Sequence, residues 1–82
     1  MSAVRDVIEL LARALTERSD QVEVRESLHK GTTLVELFVA PGELGRVIGR
    51  QGRTAAALRT LASTAGEKEG KSVTLEIRDG RP

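Results

Sequence analysis

An α+β fold, ordered α-β-β-α-α-β, is predicted by three features of this 82-residue chain. Apolar residues recur at three- and four-residue steps through the first fifteen positions, the period of an amphipathic helix. Two stretches, Leu34–Ala40 and Ser72–Arg78, have strand character, the first nearly all apolar and the second strictly alternating. Between them lie two helical segments joined by the tetrapeptide Gly49-Arg50-Gln51-Gly52. A strand that returns after a helical crossover lies parallel to the one it left, whereas strands joined by a short turn pair antiparallel. The expected result is a three-stranded mixed sheet with all three helices on one face.

Taken in order, Val4, Val7, Ile8, Leu11, Ala12 and Leu15 form the apolar stripe of the first helix, which Ser2 can cap and which ends near Arg18-Ser19-Asp20. Val22 and Val24 alternate with Glu23 and Arg25 as in a half-buried strand, and Lys30-Gly31-Thr32 supplies a hairpin turn into Leu34–Ala40. Pro41-Gly42 breaks that strand. Glu43–Ile48 is a short helix and Arg53–Ala65 a longer one, with Ala55, Leu58, Leu61, Ala62 and Ala65 on one face and Gly66 as the expected C-cap glycine. In the sheet, Val35, Leu37 and Val39 with Val73, Leu75 and Ile77 should face the helices. Glu36, Phe38, Thr74, Glu76 and Arg78 should face water. The tail from Asp79 is expected to fray, leaving one domain over 1–82 with residues 2–78 as its ordered part.

Composition narrows the function. A chain of this length buries only about 60% of the surface its unfolded form exposes. No cysteine is present to form a disulfide or a thiolate metal site. Charged residues interrupt the N-terminal segment, and no apolar run nears the ~20 residues that span a bilayer, so a soluble, cytoplasmic protein without membrane contact is expected. The net charge is only +1, but its distribution is uneven. From Leu44 to Leu61 the chain carries Arg46, Arg50, Arg53 and Arg59 and no acid, while the remainder nets −3. One basic patch on a mildly acidic body suits a polyanion. The plainer alternative is a solvated helix face.

The glycines favour the polyanion. A glycine at each end of Gly49–Gly52 permits a tight turn and close approach of another backbone. The helix that follows aims unpaired amides and the positive end of its dipole over the turn. Arg50 and Gln51, with Arg46 and Arg53 beside them, would face phosphates, and Val47 and Ile48 would line or support an apolar floor beside the edge of the central strand. An ordinary helical corner rarely needs two glycines around two exposed polar residues.

The order of elements, centred on Val47-Ile48-Gly49-Arg50-Gln51-Gly52-Arg53, resembles a K-homology (KH) domain of the prokaryotic, type II arrangement. Over residues 2–78 the chain is similar to the small single-domain bacterial KhpA (YlqC) family, which carries a like GRVIGRQGRTA run. The resemblance implies a groove for about four nucleotides of single-stranded RNA with the GxxG loop clamping the backbone. It also implies an RNA chaperone or post-transcriptional regulator of low sequence specificity. Self-association, or pairing with a larger KH-containing protein of the KhpB (EloR, Jag) type, is implied too, with links to cell shape and cell-wall biogenesis. In the alternative it implies, the KH fold serves mainly as an interaction module within such a complex.

Other chemistries find little support. With no Trp or Tyr and one Phe, a stacking platform is not available. A DNA-reading helix would want polar residues where Ala55-Ala56-Ala57 stands. His29 is a lone histidine, expected to be solvated and without partners for a metal. Glu23, Glu26 and Glu36 lack an activated nucleophile or metal constellation, and no GK[ST] phosphate loop is present, so no enzymatic activity and no cofactor are expected.

Overall fold

The computed structural model describes residues 2–81. Helix α1 spans Ala3–Leu15, strand β1 Glu23–His29, β2 Thr32–Val39, helix α2 Leu44–Ile48, α3 Arg53–Lys68 and β3 Ser72–Asp79, with single 3-10 turns at Ser19–Gln21 and Arg50–Gly52. The sheet order is β1-β2-β3, with β1 antiparallel and β3 parallel to β2. This is the mixed sheet and element order that the sequence predicts. Val24 sits opposite Leu37, and Leu37 opposite Ile77, so the apolar positions of all three strands share one face. Val4, Ile8 and Ala12 of α1, Val47 of α2, and Leu58 and Ala62 of α3 close the core against Val35, Leu37, Val39 and Leu75.

Local chemistry explains the element ends. The Ser2 hydroxyl accepts the Arg5 N–H at 3.2 Å, the expected cap. Helix α1 stops at Leu15 rather than near Arg18 because Thr16 takes an extended backbone, and its hydroxyl and amide both donate to the Ala12 carbonyl. Strand β1 runs on to His29, well past the alternating valines. Its second half is exposed, and pairing with β2 holds it in place rather than burial.

Three expectations need correction. Leu61, expected on the packed face of α3, is exposed, whereas Ala55, Leu58 and Ala62 are buried. Gly66 is not the C-cap of α3 but a buried residue inside it, where a Cβ would run into Val73 Cγ2 and lie 3.2 Å from the Lys71 carbonyl oxygen. Its smallness lets α3 pack on β3. The cap lies later, at Gly70 (φ 69°), whose N–H bonds the Glu67 carbonyl while the Lys71 N–H bonds that of Gly66, the paired bonds of a Schellman ending. Phe38 does lie on the helix-free face, but it is only 6% exposed. In the register it sits between Glu23 and Arg78, with the Arg25 guanidinium 5.9 Å from its ring centroid. Long charged side chains can cover an apolar ring while keeping their heads in water.

Candidate nucleic-acid interface

The basic stretch begins on α2, a helix of five residues. Val47 is wholly buried in the core, Ile48 is half-buried and Arg46 is exposed. Val47 is therefore a core residue, and Ile48 presents part of its side chain at the surface. Gly49 follows at φ 75°, ψ 171°, a backbone region essentially restricted to glycine. A Cβ at Gly49 would collide with Thr54 Oγ1 and stand 2.7 Å from Thr54 Cβ. Gly52, in contrast, is left-handed (φ 71°, ψ 14°) and has no atom within 4 Å of where its Cβ would be. The first glycine lets the turn close on α3, and the second leaves space above the turn open.

Between them Arg50 and Gln51 are exposed, and Gln51 is itself left-handed at φ 56°, ψ 25°. Arg53 donates to Gln51 Oε1 at 3.0 Å, engaging the one side-chain acceptor the loop carries. The turn thus presents donors outward. Helix α3 starts at Arg53 with no side-chain cap and no acid in its first turn, so the positive end of a 16-residue helix is uncompensated beside Arg50 and Arg53. Among the described residues, no carboxylate lies within 4.0 Å of Arg50, Arg53 or Arg59.

Arg46 differs from those three. It pairs with Glu17 and lies 3.6 Å from Glu43, so its charge is largely offset. Glu43 is the residue that sequence reasoning missed. Only 5% exposed, its carboxylate accepts the N–H groups of Glu17 at 2.6 Å and Arg18 at 3.0 Å. Burial pushes the carboxyl up, but these two bonds, with the charges of Arg18 and Arg46, outweigh it and hold the group below the ordinary glutamate range. An acid at the start of a short helix was the available signal.

The strand beside the loop also needs correction. Central strand β2 pairs on both sides and has no free edge, and Leu34, Glu36 and Phe38 lie on the helix-free face. Both α2 and α3 pack against β3, whose outer edge is unpaired, so β3 is the strand edge next to the loop-bearing helices. His29 is exposed, with its Nε2 3.1 Å from Ser27 Oγ. Among the described residues no cluster could hold a metal ion, and no helix is long and apolar enough to cross a membrane.

An α-β-β-α-α-β chain with a GxxG turn between two helices packed on a three-stranded mixed sheet is a KH domain of the type II arrangement. The model of the KhpA/KhpB KH domain matches residues 5–77, and the chain belongs to that family. It is 51% identical to the RNA-binding protein KhpA of Aquifex aeolicus over 77 residues, covering 94% of this chain and 98% of that one. It is 39% identical to the protein of the same name from Clostridium perfringens over 90% of this chain and 99% of that one. For Chlamydia trachomatis the identity is 31%, over 95% of this chain and all of that one.

Proposed function

We propose that this protein binds single-stranded RNA by its sugar-phosphate backbone at the Gly49–Gly52 turn. The observation that carries the reading is the convergence, on one exposed turn, of an open glycine, an uncapped helix N-terminus and two arginines, Arg50 and Arg53, that have no carboxylate partner among the described residues. Each favours an anion, and the relatives' printed name supplies RNA. In this reading Gly52 admits the backbone, and Arg50, Gln51 and Arg53 contact phosphates. Gly49 shapes the turn, Ile48 borders the apolar floor that Val47 supports, and Arg46 joins only when released from Glu17. With no Trp or Tyr and Phe38 covered, no aromatic stacking platform is offered, so base discrimination is weak, which suits a cytoplasmic RNA chaperone or post-transcriptional regulator.

Titration of a fluorescein-labelled 12-nucleotide single-stranded RNA tests this. Two to four neutralised phosphates give a slope of log affinity on log salt of roughly −1.5 to −3, with micromolar or weaker Kd. Replacing Arg50 and Gln51 together by Asp should abolish binding while changing stability by under about 0.5 kcal/mol, as exposed turn positions usually do. Full binding by that variant, or tight sequence-specific binding of duplex DNA, would reject the reading.

The solvent face of α3 supports a second element. Ala56, Thr60 and Ser63 are exposed, small and uncharged, so another helix could approach closely along this strip. We propose that a second copy, or a larger KH-containing partner of the KhpB type, docks here and joins two weak RNA grooves in one particle. Sedimentation equilibrium at tens of micromolar, repeated with Thr60→Arg, checks it. A monomeric parent, or an undisturbed dimer in the variant, removes this surface.

A further inference from the structure

We infer that Glu43 is a positioning residue for the RNA-contacting turn, an inference that rests on the turn being the contact. Helix α2 has five residues, whereas isolated helices below about 12 residues are marginal in water. Its place, and that of Gly49 at its end, must come from anchors. At its far end Val47 enters the core and Gly49 closes on Thr54. At its near end the anchor is Glu43. Its backbone N–H donates to the Ala40 carbonyl at 3.0 Å, and its carbonyl accepts the Arg46 N–H at 3.0 Å. Its buried carboxylate accepts the amides of Glu17 and Arg18.

One residue therefore joins the end of β2, the segment leaving α1 and the first turn of α2. The two amides it accepts lie beyond the last turn of α1, where no helical carbonyl serves them. A carboxylate can take both amides and face the Arg46 guanidinium. A carboxamide would turn its own NH2 toward one of these donors, leaving a mismatched contact. Loss of the charge should therefore free α2 and the turn while the sheet keeps its pairing.

The test compares the parent, Glu43→Gln and Ile8→Val, the last a core change remote from the turn, by amide hydrogen exchange and by titration with the labelled RNA. In Glu43→Gln the amides of Val47, Ile48 and Gly49 should exchange about tenfold faster relative to those of Val35 and Leu37. RNA affinity should fall about three- to tenfold. Ile8→Val should change exchange uniformly and leave affinity unchanged. Unchanged α2 exchange in Glu43→Gln, or an equal loss of affinity in Ile8→Val, overturns the inference.

Should Glu43→Gln not fold, the parent decides. The Glu17 and Arg18 amides should be protected and open together with α2, and free exchange at both rejects the anchor. Exchange needs no RNA, so it judges the anchor even if the double Asp variant shows that RNA binds elsewhere.

Discussion

Lys30-Gly31 closes the β1–β2 hairpin and Gln51-Gly52 launches α3, yet both pairs share positive φ angles. Both residues are left-handed in each, with φ of 51° and 81° in the first and 56° and 71° in the second. In the hairpin, two left-handed residues match the twist of the flanking strands, so the sheet itself demands the conformation. No sheet demands it at Gln51. There the turn joins a five-residue helix to a sixteen-residue one, beside an uncapped N-terminus and arginines that have no carboxylate partner among the described residues. The same positive φ serves the sheet in one place and, in the proposed reading, an anion-facing surface in the other, and what adjoins the turn decides which.

The sharpest way to break this comparison is at the glycines. Gly49→Ala meets both a glycine-only backbone and Thr54, and should cost roughly 2–5 kcal/mol by thermal unfolding. Gly31→Ala has open space around it and should lose only about 1–2 kcal/mol for its left-handed backbone. Equal losses would mean that the loop is no more constrained than the hairpin.

Acid should separate the two turns as well. The folded-state pKa of Glu43 is lowered, so its stabilisation is present above the unfolded value and is lost as pH falls through the folded one. Below the ordinary glutamate range, Val47 and Gly49 amides should lose exchange protection before those of Ser27 and Thr33 beside the hairpin turn. Simultaneous loss would show that Glu43 has no local role.

Gln51→Gly and Lys30→Gly each relieve a left-handed non-glycine residue while adding unfolded-state entropy, so each should change stability by less than about 1 kcal/mol. Only the first should weaken RNA binding, by about two- to fivefold for one lost hydrogen bond. Parallel behaviour in RNA titration would erase the distinction between the turns. The smallest effect concerns Arg46. Glu17→Gln should free its guanidinium, raise RNA affinity by about twofold and steepen the salt slope by up to about 0.7, the value for one phosphate on a single strand. An unchanged slope would leave Arg46 outside the contact.

Helix α1, the Leu34–Ala40 strand and the alternating last strand were legible because each shows its own period and each buries the face that period marks. The second half of β1 was not, since Ser27 to His29 are exposed and pair because β2 lies beside them. Gly66 misled for a related reason: glycine near a helix end signals a cap, but here Val73 on another element requires its smallness. The candidate site divides the same way. Its glycines and arginines stand contiguous in sequence, whereas the strand edge beside it and the Glu43 anchor join segments far apart in the chain.

By itself, the sequence determined the element order, the parallel return of the last strand, the position of the GxxG turn and the clustering of positive charge. These depend on neighbours within a helical turn, a strand or a short loop, where period, capping and chain reach act. Tertiary structure alone decided which glycine is crowded and which is open, which arginines keep their charge free, and which carboxylate is buried. Those outcomes depend on what a side chain meets from another element, and Thr54, Glu17 and the two amides beyond α1 come to the turn only once the helices have packed on one face of the sheet.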